Sequence, residues 1–203
     1  MPRRPHYEAT GVRVDKLVVG PFENNVYVVR CTTSGDAVIV DAANEHDLLL
    51  EVARASGVRR VLTTHGHWDH IQAVTALRDA GIDVGIAEAD AAMLPGYDFV
   101  LPDDDVIEVG RLRLRTIHNP GHTPGSTSFL IEGHPVLFTG DTLFPGGPGN
   151  TRSPEGDFPR ILESIDRRLF ALAGDLLVMP GHGLDTTLAH ERPHLQEWAD
   201  RGW

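Results

Sequence analysis

The segment His65–His70 (HGHWDH) constrains the structure of this chain more than any other, because it holds three histidines and one aspartate in six positions. It directly follows the run RRVLTT, which is typical of a buried strand, and it precedes apolar residues at helical spacing. A turn this rich in imidazole and carboxylate has no role in packing a core. In α/β proteins, ligand sites form at the carboxyl ends of strands. The segment therefore predicts a binding site at a strand end.

The spacing within this segment predicts positions for two cations. His65 and His67, two residues apart on a loop, can converge on one ion. Asp69 and His70 are adjacent, so their side chains point in different directions and suit a second ion. Imidazole and carboxylate ligands satisfy zinc, iron or manganese, and the residues alone do not choose among these metals.

Three later strand ends repeat this chemistry. His122 lies in the turn NPGHTPGS, Asp141 ends the run VLFTGD, and His182 follows LLVMPG. A single histidine beside a turn is usually solvated or part of the packing. Four strand ends that all finish in residues of metal-ligand type indicate one site assembled from distant segments.

The hydrophobic pattern predicts two strand-rich halves with helices between them. In the first half, the strands VRVDKLVVG, NVYVVRC and DAVIVDAA precede a helix ending at Gly57, and the segment HIQAVTALRDAG predicts a helix ending at Gly81. In the second half, a hairpin turns at Gly110, two strands meet at EGHP, and DFPRILESIDRRLFAL forms an amphipathic helix. This mixture predicts a layered α/β or α+β domain. Residues 144–157 are expected to form a long, irregular, functional loop.

Composition and charge exclude several classes of partner. The chain of 203 residues carries a net charge of −11, whereas binding to nucleic acid or to an anionic membrane requires a basic surface. No window is apolar enough to span a membrane, and the first residues lack the apolar stretch of a signal peptide. Cys31 is the sole cysteine, which excludes an intrachain disulfide and predicts a cytoplasmic location. We expect a single domain over residues 1–203.

The motifs THGHWDH, GHTPGS, FTGDTLF and PGHG, in this order, resemble those of the metallo-β-lactamase superfamily. The nearest likeness is to its glyoxalase II (hydroxyacylglutathione hydrolase) branch, and it extends from Val14 to Leu184. The resemblance implies an α+β fold, a four-layer αββα sandwich with helices outside two central sheets. It also implies that the metal site lies at one edge of these sheets.

The resemblance further implies a set of ligands and a mechanism. One metal ion would be held by His65, His67 and His122, a second by Asp69, His70 and His182, and Asp141 would bridge the two. Zinc is the expected metal, with iron or manganese as alternatives. Two ions about 3.5–4 Å apart make hydroxide available near neutral pH. Asp69 would orient this nucleophile and take its proton.

The reaction that the resemblance implies is hydrolysis of a small-molecule thioester, an S-2-hydroxyacyl thiol. A related branch implies instead a persulfide dioxygenase with one iron on His65, His122 and Asp141; the intact second ligand set favours the hydrolase. A lactonase is a further alternative, because a cyclic ester needs the same nucleophile. A β-lactamase is disfavoured because no export signal is present, and a nuclease by the acidic charge. The sequence leaves the oligomeric state open.

Several other residues carry expectations of their own. Asp41 resembles a family aspartate that supports the metal loop. Asn24 and Asn25 are expected to serve a turn, and the resemblance offers the alternative that this turn overhangs the metals. Arg152 is expected on a solvated surface. Trp68 is either a wall of the pocket or a packing residue, and Cys31 is expected in the core.

The C-terminal segment differs from that of glutathione-binding members of the branch, which carry an added helical domain. The residues after PGHG leave room for one terminal helix, which Trp198 and Trp203 would pack onto the body. We therefore expect the reaction class to carry over from the resemblance better than a preference for glutathione.

Overall fold

The computed structural model describes residues 4–202, and most strands within this range belong to two sheets. The first sheet has seven described strands in chain order: β1 (Tyr7–Ala9), β2 (Val12–Val19), β3 (Asn24–Cys31), β4 (Ala37–Val40), β5 (Val58–Leu62), β6 (Asp83–Ile86) and β7 (Phe99–Val100). Strands β1 to β4 pair antiparallel, and β4 to β7 pair parallel.

The second half of the chain supplies the remaining strands. They are β8 (Val106–Val109), β9 (Leu112–His118), β10 (Thr127–Ile131), β11 (Val136–Gly140), β12 (Leu143–Phe144), β13 (Gly147–Pro148), β14 (Leu177–Pro180) and β15 (Thr186–Thr187). Strands β12 and β13 pair with each other, and the other six form the second sheet in the order β15-β14-β11-β10-β9-β8. The predicted turn at Gly110 is confirmed; its φ of 60° is one that glycine adopts readily.

Short helices connect and cover the sheets. The α-helices are α1 (His46–Ser56), α2 (Trp68–Ile71), α3 (Val74–Asp79), α4 (Phe158–Ser164), α5 (Leu188–Glu191) and α6 (Leu195–Arg201). Residues Glu88–Met93 and Arg192–His194 form 3-10 helices, and Ile165–Leu169 form a π-helical turn. No helix within residues 4–202 has the length and apolar character needed to cross a membrane.

Alternating side chains along the strands create the layers of the fold. In β3, Val26 and Val28 pack with the cluster that includes α1 and α3, whereas Tyr27 and Val29 pack between the two sheets. On the far side of the second sheet, Trp198 of α6 is buried in a cluster shared with α4. The predicted α+β sandwich with four αββα layers is therefore confirmed. Trp203, expected to pack beside Trp198, lies outside the described residues.

The predicted helix over residues 70–81 is wrong in one respect, because the chain breaks it at Gln72 and Ala73. The amides of these residues donate to the carbonyls of Ala43 and Ala42, at 3.1 and 2.9 Å. Two helical hydrogen bonds are thereby replaced by bonds to the loop after β4. The break ties the end of α2, which carries part of the histidine-rich segment, to the first sheet.

The predicted helix over residues 157–172 begins as expected but changes its geometry. Asp157 caps α4 by accepting from the amide of Arg160 at 3.0 Å, and Pro159 fills a first-turn position. The helix then passes into the π-helical turn after Ser164. The segment 144–157 is also less irregular than predicted, because β12 and β13 form a short hairpin within and beside it.

The two sheets meet at the edge where several parallel strands end. Strands β4 and β5 are parallel neighbours in the first sheet, and β11 and β14 are parallel neighbours in the second. Backbone bonds join the sheets there: the amide of Asn25 donates to Gly181 at 2.7 Å, and the amide of Thr127 donates to Thr64 at 2.8 Å. The carboxyl ends of these strands are thus held close together.

Candidate metal centre

The seven predicted site residues all lie at this edge of the sheets. His65, His67, Asp69 and His70 follow β5, His122 lies between β9 and β10, Asp141 follows β11, and His182 follows β14. The backbone explains how this short segment can contribute residues to two ligand groups. His67 is extended and immediately precedes α2, whereas Asp69 and His70 already belong to that helix.

The side chains form three overlapping groups of metal-ligand atoms. In each group the nitrogen and oxygen atoms lie within 4.8 Å of one another. The groups are His65, His67 and His122; Asp69, His70 and His182; and His65, His70 and Asp141. The first two groups coincide with the two expected ligand sets. The third joins one histidine of each set through Asp141, the residue predicted to bridge them.

The polar atoms facing the centre of the cluster lack ordinary partners. Nε2 of His65 and Oδ1 of Asp141 are buried and form no hydrogen bond. Nδ1 of His67 lies 2.8 Å from Nε2 of His122, and Nε2 of His70 lies 3.2 Å from Nε2 of His182. Nitrogen atoms that face each other in this way can share a cation, whose bonds to imidazole are about 2.0–2.1 Å long for zinc. The residues therefore fit two divalent ions.

The outward nitrogen atoms of three histidines are held by hydrogen bonds. His70 Nδ1 lies 2.8 Å from Asp41 Oδ2, and His182 Nδ1 lies 2.9 Å from the carbonyl of Phe22. His122 Nδ1 lies 2.6 Å from the carbonyl of Asn150. In each pair the imidazole donates, which leaves Nε2 free to bind a metal. Metal-ligating histidines are generally oriented by such bonds.

Asp41 supports the cluster at two points. It is buried and has a left-handed φ of 63°. Its carboxylate accepts from the amide and the hydroxyl of Thr64, at 2.7 and 2.8 Å. The same Thr64 hydroxyl lies 3.0 Å from Nδ1 of His65. The structure thus places Asp41 behind both His70 and His65, as the sequence suggested for a supporting role.

Burial and neighbouring charges move the pKa values of the cluster in opposite directions. Burial, together with the nearby His70, lowers the pKa of His65 well below its ordinary value. Burial also opposes the charged form of His70, but Asp141 raises its pKa well above the ordinary value. Burial tends to raise the pKa of Asp69, yet hydrogen bonding with His182 and the charge of His70 hold it at about 2. Asp69 is therefore ionised at neutral pH, as a metal ligand must be.

An open cleft of about 580 Å³ leads to this cluster. Trp68, Met93, Asn150, Ser153 and Glu155 line it, together with several of the predicted ligands. The Trp68 side chain is exposed and meets the exposed ring of Phe22 edge to face, with centroids 5.1 Å apart. A small molecule in this cleft can reach the ligand atoms past an aromatic rim.

A match to a protein family decides the wider assignment. Residues 19–182 match the family described as Metallo-beta-lactamase superfamily. The chain belongs to this superfamily. The match includes all seven predicted ligand residues, from His65 to His182, so the predicted family is confirmed.

Superfamily relatives with named activities differ in those activities. The hydroxyacylglutathione hydrolase GloC of Haemophilus influenzae is 30% identical over 203 residues, which cover 89% of this chain and 95% of GloC. The human mitochondrial persulfide dioxygenase ETHE1 is 33% identical over 165 residues, covering 77% of this chain and 62% of that protein. The crystal structure of TTHA1623 in a di-iron-bound form has a TM-score of 0.75 at 28% identity, covering 87% of this chain and 96% of TTHA1623. The two relatives with named activities therefore differ in reaction, and of these three proteins only TTHA1623 has a metal in its description.

The structure also places residues for which the sequence gave no strong expectation. Asn24 donates from Nδ2 to Asp69 at 3.0 Å, so it contacts the site in addition to lying at a turn. Trp68 is a wall of the cleft, which resolves the alternatives left by the sequence. Arg152 is exposed, and Cys31 is buried in the core between the sheets, both as expected.

Proposed function

We propose that the chain is a dinuclear metal-dependent thioesterase that cleaves S-2-hydroxyacyl thiols. The observation that carries the proposal is the presence of two complete ligand groups joined through Asp141. A single tetrahedral site needs three or four protein ligands, and this cluster offers seven residues. We propose zinc in both positions; the di-iron form of TTHA1623 makes iron the first alternative to test.

The bound ions and the residues around the cluster would have different roles in hydrolysis. Two bound ions would supply a hydroxide nucleophile near neutral pH and polarise the thioester carbonyl. Asp69 faces the cleft with its carboxylate ionised, so it can accept a hydrogen bond from the attacking oxygen and orient it. Asn24 fixes this carboxylate by donating to Oδ2. Water cleaves the bond between the acyl carbon and sulfur, which yields the hydroxy acid and the free thiol.

The named relatives support a thioester as the class of substrate, but they do not identify the thiol of this chain's substrate. GloC, a hydroxyacylglutathione hydrolase, is matched over 95% of its length. Over nearly the whole length of GloC, the present chain is therefore similar to an enzyme named for glutathione thioesters. This likeness weakens the expectation that glutathione is not preferred over other thiols. We propose a small hydroxyacyl thioester as the substrate, with glutathione among the thiols to be tested.

Persulfide dioxygenase is the second candidate, and the 33% identity to human ETHE1 favours testing it. That reaction would need one iron, for which His65, His122 and Asp141 are the proposed ligands. It would give no role to the group of Asp69, His70 and His182. The intact second group therefore supports the hydrolase.

The decisive experiment compares the two reactions on one preparation reconstituted separately with zinc and with iron. Release of thiol from S-lactoyl glutathione, S-lactoyl coenzyme A and a simple S-lactoyl thiol measures hydrolysis. Oxygen uptake with glutathione persulfide measures the alternative. We expect thioester hydrolysis that is lost in His70→Ala. Oxygen uptake with the iron form, unaffected by His70→Ala and without hydrolysis of any thioester, would establish the dioxygenase instead.

A further inference from the structure

A second buried aspartate, Asp90, lies beside the metal centre without contacting a predicted ligand side chain. It belongs to the 3-10 helix Glu88–Met93 and is fully buried. Oδ2 accepts from the amide of Gly66 at 2.9 Å and from the hydroxyl of Thr123 at 2.6 Å, and Oδ1 accepts from the amide of Gly125 at 2.7 Å. Within residues 4–202 no cationic side chain forms an ion pair with it. A buried carboxylate held only by neutral donors is costly, which calls for a reason.

The three donors belong to the two loops that carry the first ligand set. Gly66 lies between His65 and His67, Thr123 follows His122 directly, and Gly125 lies two residues further on. These loops are far apart in the chain, so the carboxylate of Asp90 joins them in space. Within residues 4–202, its three hydrogen bonds reach neither α2 nor the loop of the second-set residue His182.

The glycines show that this contact is close. A Cβ atom on Gly125 would lie 2.6 Å from Cγ of Asp90, and a Cβ atom on Gly66 would lie 2.5 Å from Cβ of Met93. Both distances are too short for any side chain. The 3-10 helix therefore packs directly against the backbone of both histidine loops, and glycine is required at each point of contact.

We propose that Asp90 is a positioning residue that sets the distance between the His65–His67 loop and the His122 loop, and so the metal affinity of the first ligand set. The second set is supported separately, because Asp41 rather than Asp90 contacts His70. The inference rests on the proposed metal sites but not on the proposed substrate. Metal binding therefore tests it even if no thioester is hydrolysed.

The test measures the binding of Co²⁺ in two variant backgrounds. His182→Ala leaves only the first ligand set complete, and His67→Ala leaves only the second. Asp90→Asn retains the size of the side chain but replaces one accepting oxygen with an amide group that cannot accept. In the His182→Ala background we expect it to weaken Co²⁺ binding about 10–100-fold and to change the absorption spectrum of the bound ion. In the His67→Ala background we expect the affinity to be unchanged.

Two further variants keep the result interpretable. Glu88→Gln removes an exposed carboxylate from the same 3-10 helix and should leave both affinities as they were. Thr123→Val removes one of the three donors while retaining the shape, so it should weaken the first set only, and it replaces Asp90→Asn if that variant does not fold. The proposal would be overturned if Asp90→Asn lowered the Co²⁺ affinity equally in both backgrounds, or left it unchanged in the His182→Ala background. It would also be overturned if the protein with His182→Ala as its one substitution bound no Co²⁺.

Discussion

Nδ1 of His70 lies 2.8 Å from Oδ2 of Asp41, and both side chains are buried. The carboxylate fixes the ring so that Nε2 points toward Asp141, which lies at 3.4 Å. The imidazole of His70 is in this way oriented before any cation arrives. Because the orientation depends on a charged acceptor, it can be tested by removing the charge alone.

Asp41→Asn should therefore lower the affinity of the second ligand set more than that of the first, because Asp41 contacts His70 directly and His65 only through Thr64. The amide can still accept from one donor but no longer carries a charge, and such supporting changes cost about 10–100-fold in metal affinity. Competition with a chromophoric chelator measures the two dissociation constants. Asp47→Asn, an exposed aspartate on α1, is the control. Unchanged affinities in Asp41→Asn would show that His70 needs no charged partner.

Removal of metal should destabilise the whole domain. His67 faces His122 and His70 faces His182 at distances suited to a shared ion, so each bound ion would join segments that are distant in the chain. A ligand present at about a thousandfold excess over its dissociation constant stabilises the folded state by about 4 kcal/mol. For a chain of this size we expect the Tm to fall by about 10 °C after treatment with EDTA.

Calorimetry before and after chelation measures this loss, and addition of Zn²⁺ should restore the original Tm. Elemental analysis of the restored protein should give two ions per chain, falling to one in His70→Ala. A Tm that does not respond to EDTA, with one ion in both proteins, would contradict the dinuclear centre.

Asp141→Ala should be more damaging than the loss of any single histidine. Asp141 is placed between the two ligand sets, so its removal leaves two cations close together without a shared carboxylate. We expect loss of at least one ion and a fall in kcat of about a hundredfold or more, which is the scale of losing one key electrostatic group. Asp79→Ala, an exposed change at the end of α3, is the control. Retention of both ions with near-native kcat would remove Asp141 from the bridging role.

Cys31→Ser should leave hydrolysis within a few-fold of the parent. The thiol is buried between the sheets, where its sulfur accepts from the amide of Arg111 at 3.4 Å. It has no path to a substrate in the cleft. The added polarity of serine in the core should cost about 1 kcal/mol of unfolding free energy, measured by urea denaturation. Inactivity of a folded Cys31→Ser protein, together with labelling of Cys31 by substrate, would indicate nucleophilic catalysis.

The strands and the common location of the predicted ligands could be predicted from the sequence because both depend on short-range patterns. The continuous apolar run VYVV in β3 marks a strand that is buried on both faces, and a ligand-type residue directly after a strand marks the site edge. Contacts between distant segments could not be read in this way. Asn24 reaches Asp69 across 45 residues, and Asp90 reaches Gly66 and Gly125 across 24 and 35. The broken helix at Gln72 has the same origin, because its cause is a carbonyl in the loop after β4.

Trp68→Ala should weaken substrate binding without slowing the chemical step. The indole is 57% exposed, lines the cleft beside Asp69, and meets Phe22 edge to face. An apolar wall touches the substrate equally in the ground state and the transition state, so its loss raises KM and leaves kcat unchanged. Covering about 50 Å² of apolar surface contributes roughly 1.3 kcal/mol, which corresponds to about a tenfold rise in KM.

Tyr97→Ala, a change at another exposed aromatic residue, should leave both constants unchanged. Steady-state kinetics on the S-lactoyl thiol with the highest kcat/KM give both constants. A fall in kcat with unchanged KM would instead mean that Trp68 orients the neighbouring Asp69 rather than the substrate.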